Sequence, residues 1–396
     1  MDFETRYTAE QEREREAFRA EFRAWLRENA GGAGAPPDPG DLTREQFEAN
    51  RAFLRRLGER GWFAPTWPVE HGGAGLAPHV ARVVREELEA ALPHLENVHP
   101  PGDISGAAAS AVRELGSEEQ WRTLLPRLVR GEAVVWELYT EPDAGSDLPS
   151  LQSTALRDGD AYVLNGTKTF AGGHFEADYY FVLAVSNADR PRRENLSAFL
   201  VPPDLPGITM TDLDMMAGSL KRTIIFDDVR VPASQRVGEE GRGWPVFEAS
   251  LHGALTVGIG PGLDRAFEVF DRLLAYCKET NASAEPHVQD ALVRAYVGLQ
   301  VQRLVLLRAD WLASSGQPVT YEGTQVALGR KLVDLKLADA IHAARGPLSM
   351  IKDAAWAPLE GDLEYFHRYA ILMAHPGGTV EIQKLRMFRG MTGGAE

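Results

Sequence analysis

Hydrophobic periodicity changes twice along this chain, and the resulting order of helices, strands and helices rules out most ways of packing 396 residues. Near the start, apolar residues recur at Phe18, Phe22, Trp25 and Leu26, the three-to-four spacing of one buried helical face over 9–29. A Gly/Pro-rich break at 31–40 reads as a loop, and further helices are expected over 44–60, 79–92, 107–115 and 118–130. Between about 134 and 232 the pattern becomes β-rich. Alternating residues flank Asp158-Gly159-Asp160, a hairpin signal, and short runs follow at 179–185, 197–201, 208–212 and 223–231. Each is bounded by Pro, Gly, Asn or Asp, as in a compact antiparallel β domain. Long helical patterns return over 244–278, 288–314, 325–345 and 359–373, with a short helix at 380–388. The expected fold is mainly α with a central β domain: helices over 1–131, β over 132–242, a helical bundle over 243–396.

Composition narrows the function. A chain of this length exceeds one simple core. A net charge of −15 argues against a nucleic-acid partner, because phosphate neutralisation needs clustered Lys and Arg. Cys277 is the single cysteine, so no intrachain disulfide and no multi-cysteine metal site can form, and it reads as a buried helix thiol. The ten histidines are scattered without a His-x-x-x-His pair, so no metal is expected. The N-terminus is charged and lacks the apolar core of a secretory signal. No stretch reaches the roughly 18 apolar residues of a membrane span, so a cytoplasmic protein is expected. Gly258-Ile-Gly260-Pro-Gly262 is glycine-rich but sits in a helical pattern rather than after a strand, which disfavours a dinucleotide-binding loop.

Five segments, taken in order, resemble the acyl-CoA dehydrogenase superfamily along the whole chain. They are Glu70-His-Gly-Gly-Ala-Gly-Leu76, Tyr139-Thr-Glu-Pro-Asp-Ala-Gly-Ser-Asp147, Asn165-Gly-Thr-Lys-Thr-Phe170, Phe226-Asp-Asp-Val-Arg-Val-Pro232 with Val237-Gly-Glu-Glu-Gly-Arg-Gly243, and Gly378-Thr-Val-Glu-Ile-Gln383. The resemblance implies FAD, an acyl-CoA thioester of fatty acid or sterol side-chain metabolism, an oligomer of like or unlike subunits, and an electron-transfer flavoprotein as acceptor. It places the flavin against Tyr139, Thr140, Gly145, Ser146, Phe170, Gly172, Thr379 and Glu381. A flavin needs donors around its ring edge and phosphates. Thr140 and Ser146 carry hydroxyls, and Gly145 lets backbone approach a flat ring. The same 139–147 run is also rich enough in turn residues to be a capped turn without any ligand.

The resemblance further implies a carboxylate that removes the α-proton while hydride leaves the β-carbon for the flavin, and here the pattern fails. Pro376-Gly377-Gly378-Thr379 places Gly377 where many members carry the catalytic Glu. Leu251-His-Gly-Ala-Leu-Thr256 places Gly253 or Ala254 at the alternative position. His252 and Glu248 are the nearest replacements, each with a bland structural reading beside the functional one. Tyr321-Glu-Gly-Thr324 spells the base motif in the wrong place, and Glu322 is expected to be exposed at a helix start. Flavin contacts are thinned as well. Phe170-Ala171-Gly172 lacks the hydroxyl expected near the reactive ring nitrogen. Lys278-Glu-Thr-Asn-Ala-Ser283 and His342-Ala-Ala-Arg345-Gly346 replace motifs that reach a neighbouring subunit's cofactor, with Arg345 as a substitute anion partner. Together these losses suggest a supporting subunit of a heteromeric assembly. The alternatives are a self-sufficient dehydrogenase with a relocated base, or different flavin chemistry.

Overall fold

The computed structural model describes residues 7–36, 38–92, 95–99, 103–217, 220–256, 263–314, 317–352 and 361–393. They form two compact units, Ala9–Gly260 and Pro261–Glu396, the latter together with the chain's first residues.

The first unit opens with α1 (Ala9–Asn29), α2 (Arg44–Glu59), α3 (Pro78–Ala91), α4 (Leu95–Val98), α5 (Ser105–Leu115), α6 (Glu118–Thr123) and α7 (Leu125–Val129). The face of α1 read from the sequence packs around Trp62: Phe18, Phe22 and Trp25 bring their rings edge-on to it at 5.7, 4.9 and 5.2 Å. α2 starts in a capping box between Thr43 and Gln46, which satisfies two otherwise orphaned donors. The single helix expected over 118–130 is two, because Pro126 lacks the N–H a continuing helix needs and sits instead in the first turn of α7.

Strands β1 (Val135–Leu138), β2 (Thr154–Asp158), β3 (Ala161–Ala171), β4 (Tyr179–Val185), β5 (Leu196–Val201), β6 (Ile208–Leu213), β7 (Lys221–Pro232) and β8 (Arg236–Val237) follow, and α8 (Gly243–Thr256) completes the unit. The sheet runs β6-β7-β3-β2-β4-β5-β8, with β1 lying parallel beside β4. The expected hairpin is present: Asp158 pairs with Ala161 across Gly159-Asp160, and Gly159 takes φ 65°. In β4, Tyr180, Val182 and Ala184 join a cluster with Trp136, Leu138, Tyr162 and Phe199. Phe181, Leu183 and Val185 face the other way, into a core shared with the helices. Burial on both faces explains why the strand is an unbroken apolar run.

The second unit contains α9 (Asp264–Glu279), α10 (Pro286–Ser314), α11 (Glu322–Arg345), α12 (Asp362–Met373) and α13 (Val380–Thr392). Its core includes Val269, Leu273, Leu299, Leu337, Ile341 and Phe366, and Cys277 is buried in it. The helix expected over 244–278 is therefore two, α8 and α9, and the Gly258–Gly262 segment lies outside the described residues. Glu322 corrects its expected exposure. It begins α11 but is 4% exposed, accepting from the Thr320 N–H at 3.0 Å and pairing with Arg308 at 3.1 Å. Burial pushes its carboxyl up, but backbone donors and Arg308 outweigh that and hold it below the usual range.

The 70–76 loop closes on itself through Gly75 N–H to Trp67 O (2.8 Å) and Leu76 N–H to Pro65 O (2.9 Å). A Cβ on Gly73 would lie 2.2 Å from the Trp67 carbonyl oxygen and 2.6 Å from that of Ala64, so backbone has no room to accept it. Gly73→Ala is expected to cost about 1–3 kcal/mol by overpacking, read as a lowered urea midpoint. An unchanged midpoint would show that the loop yields.

Candidate functional site

An ion pair whose ammonium is sealed from solvent joins two of the motif segments. Lys168, in the middle of β3, is fully buried, and its Nζ donates to Glu141 Oε1 at 2.7 Å and to the Tyr139 carbonyl at 3.2 Å. Glu141 also accepts from the backbone N–H groups of Gln152 (2.6 Å) and Ser153 (3.0 Å). Burial lowers the Lys168 ammonium to about 8, with Glu141 opposing. Burial raises the Glu141 carboxyl, but Lys168 and the two N–H donors outweigh it, so it stays below its ordinary value. The pair clamps the 139–147 turn to β3 beside Thr140, whose carbonyl accepts from the Thr169 N–H at 2.9 Å.

That clamp sets out the residues assigned to the flavin. Tyr139 spends its side chain on the core: it is 3% exposed, its ring meets Phe181 and Phe247 edge-on, and its hydroxyl lies 3.2 Å from Ser250 Oγ. Only its backbone remains for a ligand. Thr140 is half-buried, while Gly145 and Ser146 are exposed beyond the tight turn that Glu141 and Ala144 close through reciprocal N–H···O bonds of 2.9 and 3.2 Å. Phe170 is 53% exposed on a left-handed backbone, φ 57°, a costly conformation for a bulky residue. Gly172 also has positive φ, and a Cβ there would enter the Trp136 indole at 2.4 Å. The missing hydroxyl thus has a steric cause: Trp136 occupies the room a side chain at 172 would need.

The other assigned residues lie in the second unit. Thr379 caps α13, its Oγ1 accepting from the Ile382 N–H at 3.2 Å, and Glu381 stands exposed in the first turn. Gly377 and Gly378 precede them at φ 69° and 94°, and the Gly377 carbonyl accepts from the buried Gln383 side chain at 2.7 Å. Arg345 is 4% exposed beside the Tyr276 ring, and burial lowers its guanidinium while Tyr276 opposes that shift. Of the candidate bases, Glu248 accepts from the Trp244 indole N–H at 2.7 Å, one turn away on α8. His252, Gly253 and Ala254 lie near the end of α8, and their side chains are outside the described residues. Among the described residues no His/Cys/Asp/Glu group could hold a metal, and no helix is long and apolar enough to cross a membrane.

Sequence reasoning passed over Glu137. It is the one charged residue of β1, and it is open to water while Val135, Trp136, Leu138 and Tyr139 are buried. The signal was present as a carboxylate inside the apolar run Val-Trp-Glu-Leu. Nothing in that run told which face would be covered.

The exposed ring of Phe170 beside the bare backbone of Gly172 offers a flat surface of the kind a planar ring can stack on. The acyl-CoA dehydrogenase N-terminal domain matches residues 12–132, the middle domain 137–229 and the C-terminal domain 241–392. The chain belongs to the acyl-CoA dehydrogenase family, whose members are FAD-dependent oxidoreductases. It is 35% identical over 298 residues to acyl-CoA dehydrogenase IpdE1 of Mycobacterium tuberculosis, covering 73% of this chain and 75% of that one. The steroid ACAD Tcur3481-Tcur3483 is similar over 100% of both chains, with TM-score 0.77 and 25% identity. The ChsE4-ChsE5 complex of M. tuberculosis is similar over 99% of both, with TM-score 0.75 and 25% identity.

Because Glu141 leaves a buried ammonium when neutralised, Glu141→Gln is expected to cost about 3–5 kcal/mol, measured by denaturant unfolding. The double variant Glu141→Leu/Lys168→Met removes both charges and should recover most of that loss. A double variant no more stable than the single one would show that the fold depends on the hydrogen bonds rather than on charge compensation.

Proposed function

We propose that this chain is one subunit of an oligomeric, FAD-dependent assembly for α,β-desaturation of an acyl-CoA thioester, with an active site degenerate in its proton-accepting carboxylate. The observation that carries this reading is the backbone at Gly377 and Gly378. Both occupy the left-handed region, where a side chain is strained, so the absent carboxylate is matched by a glycine-adapted turn. FAD, when bound, supplies the hydride acceptor. The chain's own part is orientation: Phe170 offers a flat apolar surface, Thr140 and Ser146 offer hydroxyls, and Gly172 bares its backbone. An oligomer is supported by α10, where Val293, Tyr296, Val297, Val301 and Leu304 are exposed at three-to-four spacing along one face. The two-component makeup of the similar Tcur3481-Tcur3483 and ChsE4-ChsE5 assemblies supports unlike subunits, and an electron-transfer flavoprotein is the natural electron acceptor. A second reading, a self-sufficient dehydrogenase with a relocated base, is favoured by the open carboxylate of Glu137. Glu248, already bound by Trp244, is a weaker choice.

The test is a visible spectrum of the chain purified alone and with a co-expressed family partner, before and after an acyl-CoA panel. Flavin colour that is weak alone, is gained with the partner, and bleaches only in the complex is the expected result. Stable colour that bleaches in the isolated chain would overturn the supporting-subunit reading in favour of the second. Gly377→Glu is expected to lower stability by about 1 kcal/mol or more, without conferring bleaching on the isolated chain.

A further inference from the structure

The pairing of β3 with β7 slips beside the aromatic plate. Lys168 pairs with Ile224 and Ala171 with Arg222, so three steps along β3 meet two along β7. The extra residue makes a β-bulge of Thr169 and Phe170 opposite Thr223. A bulge bends its strand and re-aims a side chain. Here Phe170 is turned outward on left-handed backbone, φ 57°, while Ala171 beside it is fully buried. The strained backbone and the wetted ring both oppose folding, and neither serves the packing of the sheet. An outlier of this kind persists only where its surroundings over-determine it.

The surroundings are the first residues of β7. The Leu220 N–H donates to His174 Nε2 at 3.1 Å, Lys221 Nζ to the Gly172 carbonyl at 2.7 Å, and Arg222 Nη1 to the Gly173 carbonyl. Neighbouring side chains leave a strand from opposite faces, so Lys221 and Arg222 grip the loop from both. Arg222 is itself fixed: its Nε donates to Asp212 at 3.2 Å, and its guanidinium lies 5.2 Å from the Trp136 ring that also backs Gly172. On the other side of Phe170, Thr169 donates its N–H to the Thr140 carbonyl, and its Oγ1 lies 3.2 Å from Thr223 Oγ1. The far end of the loop is tied to α2, where Phe175 stacks on Phe47 at 4.0 Å and Glu176 pairs with Arg44 at 2.8 Å. The chain is thus anchored immediately before and after the residue whose ring stands in water.

We propose that Lys221 and Arg222 are positioning residues for the flavin: by holding the Gly172 and Gly173 carbonyls they lock the bulge and keep the Phe170 ring presented for stacking. The inference rests on reading the chain as one that binds FAD, and it adds two residues that lie outside every motif segment. Their action runs through the backbone at 170–173 rather than through contact with the flavin. A plate held in place beforehand loses little freedom when a ring settles on it, so the strain stored at Phe170 is returned as affinity. Without the two donors the bulge can relax, and the ring can leave the exposed pose that the packing of the sheet does not need.

The experiment is a titration with FAD of the full chain, stripped of flavin, alone and with its co-expressed partner. It is followed by flavin absorbance and fluorescence, with thermal unfolding of the flavin-free form beside it. Lys221→Met and Arg222→Met are each expected to weaken FAD binding about 10-fold. Phe170→Gly removes both ring and strain, so it should weaken binding while leaving the unfolding temperature unchanged or higher. In the Phe170→Gly chain, Lys221→Met should cause no further loss of affinity, a non-additivity that general destabilisation would not produce. Lys221→Arg keeps a donor on the stem and should recover most of the binding. Arg222→Met also gives up Asp212 and Trp136; should it fail to fold, Lys221→Met and the double variant decide. Lys221→Met that binds FAD like the wild type, or a loss that adds in full to that of Phe170→Gly, would overturn the proposal and leave the proposed function standing. A wild type that takes up no FAD in either form would overturn the flavin reading and this inference with it.

Discussion

The buried Lys168–Glu141 pair is the constraint around which the sheet domain is organised. An ammonium with no solvent contact persists only if its partner is held still, and the Gln152 and Ser153 N–H groups hold it. The turn after β1 must therefore stay against β3. Gly166, at φ 142°, allows that approach, since a Cβ there would fall 2.2 Å from Ser153 Oγ. Thr140 and Phe170 take their positions from this junction. Its energetic value lies less in net stability than in the large cost of disturbing either partner.

The second organising feature is the two-sidedness of the strands. β4 is buried on both faces, so β1 beside it must also supply apolar residues to both, and does so at every position but Glu137. Trp136 fills the inner side and, in doing so, supports Gly172. One large side chain thus accounts for a glycine where the family is expected to carry a hydroxyl. The thinning of the flavin contacts is partly a packing exchange, in which indole volume replaces a polar side chain.

The C-terminal motif shows a parallel exchange. Gly377 and Gly378 turn the chain into α13 through left-handed backbone, Thr379 caps the helix, and Gln383 returns to bond the Gly377 carbonyl. These bonds fix the turn against the first residues of the helix. A carboxylate at 377 would have to be accommodated by backbone that disfavours any side chain.

Much of this was legible in the sequence because periodicity and turn chemistry are local. The face of α1, the hairpin at Gly159-Asp160 and the limits of β4 follow from spacing between neighbours in the chain, and the family resemblance follows from ordered short motifs. Pro126 could have been read as a helix break, since its missing N–H is equally local. Glu322 could not have been placed: a charged residue at a helix start is ordinarily solvated, and only Arg308 from α10 and the fold of 320–322 bury it. The same limit hid Glu137, Trp136 beneath Gly172, and Lys168 with Glu141. The sequence by itself determined the order of elements, the family and the absence of the usual carboxylates, because these depend on residue identity and short-range pattern. Which charges are buried, paired or left open to a ligand was decided by the tertiary structure alone, because desolvation depends on what distant segments bring together.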